Sequence, residues 1–383
     1  MTDPRKVLPR TVKVIEQGIA DRTHVGAQVY VSLQGKPVAD FGLGEARPGV
    51  PMTADSLMIW WSSTKTPTAV AVAQQWERGK FDLDDKVCQY IPEFGTKGKD
   101  AVTIRHVLTH TGGFRFADRL AEGVPGMGRG TWDEIITRIC SASLEPGWVP
   151  GKKAGYHPTA GWYILGELVR RLDGRPFARY VREEIFEPLG MLDCWIGMPP
   201  ERYRAYGDRI GIMHNTAGPT PQPLPNADSE MAAAQCVPGA GGRGPMRELG
   251  RFNEMLLFRG QLDGVRILRP QTVEAITARH RVGMFDETFQ TVVDWGLGFI
   301  IDGFIYGRYC SPRTFGHGGA QSSQSFVDPE YGLVINVVCN GMPGGPRFYA
   351  RSNAIAAAIY EDLALVEPGS PGRELNLPAG GLT

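Results

Sequence analysis

Within Met58 to Lys80, "MIWWSSTKTPTAVAVAQQWERGK", Ser62 stands three residues before Lys65. Residues three apart on a helix share a face, so this spacing points the hydroxyl and the amine into one space. A serine oxygen attacks a carbonyl only when a base takes its proton, and lysine is such a base only while its amine is neutral. Burial and nearby positive charge lower a lysine pKa, and Trp60 and Trp61 offer an apolar wall beside the pair. A helix N-terminus also favours negative charge growing on the attacking oxygen. Ser-x-x-Lys is short, and its other reading is Ser62 as a helix cap with Lys65 in solvent. Two later stretches add groups that could join it: "GYHPTAGWYILGELV" around Tyr156 and "FGHGGAQSSQSFVD" around His317.

Other chemistries find less support. His106 and His110 have the i, i+4 spacing of metal ligands, but no Glu or third ligand completes a zincin pattern, so they read as structural. No Gly-x-Ser-x-Gly elbow occurs, which disfavours an α/β-hydrolase. No Gly-rich loop opens a helix in a nucleotide-binding context, so neither a metal nor a cofactor is expected.

The elements that must carry these groups follow from periodicity. "VGAQVYVSLQGKPVADFGLG" from Val25 reads as a hairpin around Gln34-Gly35-Lys36. Ser62 to Arg78 reads as a helix stopped by Gly79, with Pro67 tolerated in its first turn. Helical patterns separated by Pro and Gly fill the middle of the chain, and strand patterns return from Trp295 before a closing helix near Phe348 to Leu363. This predicts an α+β protein whose two ends share one antiparallel sheet: residues 1–85 and 285–383 as an α/β lobe, 86–284 as a mainly helical lobe. Asn215 to Gly244, rich in Pro, Gly and Ala, reads as a long loop bordering a site.

The 383 residues carry 41 Lys plus Arg and 41 Asp plus Glu, so no overall field draws in nucleic acid or an anionic membrane. A small-molecule partner fits better. The N-terminal stretch lacks the apolar core of a secretory signal and no run is long enough to span a bilayer, so a cytoplasmic protein is expected. The six cysteines are scattered without C-x-x-C spacing, which suggests reduced, buried thiols.

Taken together, eight segments in order resemble the serine β-lactamase and penicillin-binding-protein superfamily, in particular its class C β-lactamase-like branch with the family VIII carboxylesterases and related acyltransferases. They include "WSSTK", "TIRHVLTHTGGF", "IFEPLGM", "WGLGF" and "GHGGAQSSQSFVDPEYGLVINVVCN". The resemblance implies that Ser62 is acylated, that Lys65 is its amine partner, and that Tyr156 shuttles the proton, its phenol pKa lowered by the Lys65 ammonium. It implies an oxyanion hole from the backbone N–H groups of Ser62 and Ala320, and a substrate surface of His317, Gly318, Gly319, Trp61 and Trp162. The glycine pair would let substrate lie against its strand, and a site lined by Trp60, Trp61, Trp148 and Trp162 would be dry enough to favour acyl transfer over hydrolysis. Two positions depart from the β-lactamase pattern: Pro158 stands where an Asn binds substrate amides, and His317 where a Lys meets a carboxylate. His317 is expected to donate to a substrate carbonyl or to Tyr156. The expected reaction is hydrolysis of small carboxylic esters. The alternative is transfer of the acyl group to an amine or alcohol of a second molecule, ahead of an amide hydrolase, a β-lactamase or a silent binding protein.

Overall fold

The computed structural model describes residues 3–119, 130–224, 226–375 and 377–378. Parts of both anticipated lobes, 1–2, 376 and 379–383 of one and 120–129 and 225 of the other, lie outside these. The Gln34-Gly35 turn joins β1 (Gly26–Leu33) to β2 (Lys36–Arg47). Both turn residues are left-handed, at φ 52° and 72°, which suits the twist of a two-residue hairpin. A short β3 (Val50–Pro51) follows, and the C-terminal part adds β4 (Asp294–Trp295), β5 (Ile300–Ile301), β6 (Phe315–Gly318), β7 (Ser323–Asp328) and β8 (Leu333–Cys339). They form one antiparallel sheet in the order β4-β5-β6-β7-β8-β1-β2-β3. The two ends of the chain meet where β8 pairs β1, with Val29 opposite Val337 and Val31 opposite Ile335.

Five helices frame the sheet and the site: α1 (Pro9–Ala20), α2 (Lys65–Glu77), α3 (Ala160–Asp173), α4 (Met246–Leu257) and α5 (Gly345–Asp362). On one face Val29, Val31, Ile335 and Val337 pack with Val12 and Ile15 of α1 and Ile355 and Ile359 of α5. On the other, Tyr30, Val334 and Val338 pack with Leu249, Phe252 and Leu256 of α4. Because both faces are covered, β8 reads as an apolar run interrupted at Asn336 rather than an alternating one. Helix α4 lies within the 86–284 stretch and yet packs on the sheet: Glu254 accepts from Tyr30 Oη at 2.6 Å, and Asn253 Nδ2 donates to Ser325 Oγ and Asn336 Oδ1, both at 2.9 Å.

Helix α2 is buried from Lys65 to Gln75. Its small, largely uncharged face all round suits a helix enclosed on every side. The helix expected from Ser62 is split, with a 3₁₀ turn over Trp61–Thr64 leading into α2. Pro67 supplies no N–H for the Ser63 carbonyl, and the Thr66 hydroxyl donates to that carbonyl instead, at 3.0 Å.

Candidate active site

Ser62 sits in the tight turn, and its neighbours pin the turn to the sheet. Trp61 is left-handed at φ 49°, a conformation that costs a bulky residue on the order of 1–3 kcal/mol and persists only where surroundings enforce it. They do so by hydrogen bonds. Trp60 is fully buried and its indole N–H donates to Gly244 O at 3.0 Å. Ser323 Oγ donates to Trp60 O at 2.8 Å, Ser63 Oγ to His317 O at 3.1 Å, and the Gly242 N–H to Thr64 Oγ1 at 2.8 Å. The nucleophile turn is thereby tied to β6, β7 and the strand at Gly242–Gly244.

Lys65 Nζ lies 3.0 Å from Ser62 Oγ and donates to the carbonyls of Pro158 and Gly239, each at 2.7 Å. Carbonyl oxygens only accept, so two N–H bonds are committed there. The third direction, toward Ser62, holds either an N–H or the amine lone pair. Burial, opposed by the Asp118 carboxylate, drives the Lys65 pKa well below the ordinary lysine value, which favours the lone pair. Tyr156 Oη donates to Ser62 Oγ at 2.7 Å. Burial raises the Tyr156 pKa, opposed by that hydrogen bond and reinforced by Asp286. The lowered phenol pKa anticipated from the sequence is therefore overturned. A neutral amine and a neutral phenol hold the same number of protons as an ammonium and a phenolate, and a buried site favours the uncharged pair. With the amine neutral, the chain would run in one direction, from Tyr156 O–H to Ser62 O–H to the Lys65 lone pair.

The site faces a cavity of about 230 Å³ lined by Trp61, Ser62, Phe116, Arg119, Tyr156, Pro158, Phe289, Phe304 and Phe348, with His317, Gly318, Gly319 and Ala320 along one edge. Trp162 is not on that wall. It is buried beneath Lys65, whose Nζ lies 5.5 Å from its ring. Trp60 and Trp148 are likewise core residues, the Trp148 indole N–H donating to Thr111 O at 3.0 Å. Phenylalanines supply most of the aromatic lining, and periodicity gave no sign of them. Both glycines have a packing reason that sequence missed: a Cβ on Gly319 would lie 2.3 Å from Trp60 O, and one on Gly318 would lie 2.6 Å from Ile305 Cδ1. The missing side chain at Gly319 lets the end of β6 seat against the nucleophile turn. His317 Nδ1 bonds to Gly318 O at 2.6 Å, which makes Nδ1 the protonated nitrogen, and its Nε2 has no hydrogen-bond partner among the described residues. Burial above all holds the ring neutral, so Nε2 is an acceptor and cannot donate to a carbonyl.

Behind Tyr156 stands a support that sequence reasoning did not foresee. Its backbone N–H donates to Asp286 Oδ1 at 3.0 Å, and Asp286 pairs with Arg281 at 3.0 Å with both side chains buried. Arg281 also lies under the Trp295 ring, which stacks on Tyr156 with centroids 5.9 Å apart. His110, expected to be structural, packs against the Tyr156 ring at 4.9 Å and accepts from the His157 N–H at 2.9 Å. His106 Nδ1 accepts from the Thr103 N–H and belongs to a helix cap.

A helix-covered antiparallel sheet with a Ser-x-x-Lys turn and a tyrosine at its edge defines a serine enzyme of the β-lactamase and penicillin-binding-protein fold. The family model described as Beta-lactamase matches residues 12–359, and the chain belongs to that family. It is 28% identical over 368 residues to the esterase/β-lactamase LipL of Mycobacterium tuberculosis, covering 88% of this chain and 82% of that protein. It is 28% identical over 386 residues to esterase EstB of Burkholderia gladioli, covering 93% and 96%. The crystal structure of a family VIII carboxylesterase superposes with a TM-score of 0.78 at 26% identity, covering 93% of this chain and 97% of that one. A penicillin-binding-protein homologue from Caulobacter crescentus gives a TM-score of 0.79 at 29% identity, with the same coverage. The protein is a serine hydrolase or acyltransferase of the β-lactamase-like kind. Among the described residues no helix is long and apolar enough to cross a membrane.

Proposed function

We propose that the protein is a carboxylesterase that hydrolyses small esters through an acyl-enzyme on Ser62. The observation that carries this is Ser62 Oγ held between Lys65 Nζ at 3.0 Å and Tyr156 Oη at 2.7 Å on the wall of a largely apolar cavity. In this reading neutral Lys65 takes the serine proton as the hydroxyl attacks, and Tyr156 protonates the departing alcohol. The backbone N–H groups of Ser62 and Ala320 receive the oxyanion. His317 offers its Nε2 lone pair to a substrate hydroxyl or N–H. The esterases EstB and LipL among the relatives favour an ester over other acyl donors. The strand edge at His317 carries no cation for the carboxylate of a β-lactam, which disfavours that substrate at that position.

Transfer of the acyl group to an amine or alcohol is the second reading, and one feature favours it. A second cavity of about 640 Å³, bordered by Met231, Gln235 and Val237, shares Trp61 and Ala240 with the first and has room for an acceptor molecule. A cytoplasmic address belongs to the same proposal, and six unpaired cysteines suit a reducing compartment.

The test is intact-mass measurement after exposure to a p-nitrophenyl ester, with and without candidate amines. An acyl adduct lost in Ser62→Ala is expected. Its absence from the native protein would sink the acyl-enzyme, and an amide forming faster than free acid would replace hydrolysis with transfer.

A further inference from the structure

Among the described residues that line the Ser62 cavity, Arg119 alone carries a formal charge; the rest are apolar, hydroxyl-bearing or glycine, apart from the neutral His317. Its guanidinium carbon lies 3.9 Å over the Phe116 ring. Arg115 also flanks Phe116, at 5.4 Å, but is committed elsewhere: it holds Glu145 at 2.6 Å and Thr288 Oγ1 at 3.0 Å. Arg119 has no carboxylate within ion-pair distance among the described residues. The neighbouring Asp118 is buried and accepts from Thr159 Oγ1 at 2.5 Å.

We infer that Arg119 sets substrate specificity by receiving an anionic substituent, a carboxylate or similarly small oxyanion, on the ester that Ser62 attacks. This rests on the acyl-enzyme reading above and adds the substrate's charge to it. A guanidinium held over a ring has already lost part of its rotamer freedom and keeps N–H donors for a planar anion. Arg119 is exposed at the cavity rim, so its attraction for an anion is partly screened and sensitive to salt. The opposite wall, along β6, offers only a neutral imidazole. The anion is therefore met from the 114–119 loop rather than from the strand. With about 230 Å³ available, a short chain between the reacting carbonyl and the charge suffices to reach the rim.

The carboxylate can sit on the acyl or on the alcohol half, and three probes separate the cases: p-nitrophenyl butyrate as the neutral ester, mono-p-nitrophenyl glutarate with the charge on the acyl half, and 4-acetoxybenzoate with the charge on the alcohol half. In Arg119→Gln, KM for one of the charged esters should rise about tenfold with kcat nearly unchanged, while butyrate stays within about twofold. Arg119→Lys should recover part of the loss, and added salt should raise the charged ester's KM in the native protein but not in Arg119→Gln. The arm that responds identifies the charged half. Equal effects on all three esters, or none on any, with butyrate still turned over, would overturn the inference alone. Failure of butyrate to leave an acyl mass on Ser62 would defeat the esterase reading and this inference with it.

Discussion

The phenol of Tyr156 and the hydroxyl of Ser62, 94 residues apart in the chain, lie 2.7 Å from one another. Nothing local brings them together. Tyr156 is held by its backbone bond to Asp286 and by rings on several sides, while Ser62 is held by the turn that opens α2. If the phenol serves as proton carrier, Tyr156→Phe should keep the fold and the cavity shape yet slow acylation by roughly 10² to 10⁴. Stopped-flow release of p-nitrophenol measures this, and an unchanged burst rate would remove Tyr156 from the proton path.

The protonation state of the resting pair is separately testable. Burial drives Lys65 down and Tyr156 up, so the resting site should contain a phenol and no phenolate. A difference ultraviolet spectrum between the native protein and Tyr156→Phe near neutral pH should therefore lack the phenolate band. A phenolate signal of one group per chain would restore the ammonium–phenolate pair.

These results show which features were legible in sequence. Ser62 and Lys65 were, because a three-residue spacing on a helix is a local fact that packing does not alter. The sheet was legible from the hairpin and the apolar strand runs at the two ends. Tyr156 was reached only through the family resemblance of its segment, since no spacing rule links positions 62 and 156. The charge state went wrong because it depends on how deeply two side chains are enclosed, and burial outweighed the attraction assumed between them. Trp162 was misassigned for a related reason: helix periodicity says that α3 has a buried face but not that this ring lies under Lys65. Phe289, Phe304 and the Arg281–Asp286 pair were missed outright, being ordinary residue types whose importance is created by long-range contact.

The lowered Lys65 pKa gives the reaction a pH dependence of definite sign. Acylation needs the neutral amine, so its rate should rise with pH and level off below the ordinary lysine range. His110, His157 and His317 are all held neutral, chiefly by burial, and should add no inflection near the usual histidine value. Stability carries the same signature. Between the lowered native pKa and the ordinary value, the unfolded chain binds a proton that the native state does not. This group therefore makes stability rise with pH across that window, by up to about 1.4 kcal/mol per pH unit. Urea melts at several pH values should show that slope in the native protein and lose it in Lys65→Met; an identical slope in both would mean that Lys65 stays charged when folded.

The buried Arg281–Asp286 pair should matter more for placing Tyr156 than its distance from Ser62 suggests. Asp286 Oδ1 accepts from the N–H groups of Tyr156, Thr288 and Phe289, while Oδ2 faces Arg281. One carboxylate thus fixes the backbone of the tyrosine, the loop that carries Phe289 into the cavity, and the guanidinium beneath Trp295. Asp286→Ala would strand a buried guanidinium, a loss of roughly 3–5 kcal/mol. Asp286→Asn is the more informative variant, because its side-chain oxygen can still accept from the Tyr156 N–H while the charge pairing is gone. It should melt earlier than the native protein, by less than Asp286→Ala, and retain acylation in proportion to how well Tyr156 stays aligned. Thermal melts read alongside burst kinetics separate the two effects. If Asp286→Ala is as stable and as fast as the native protein, the pair is neither a structural anchor nor a positioning element, and the alignment of Tyr156 must come from its ring contacts alone.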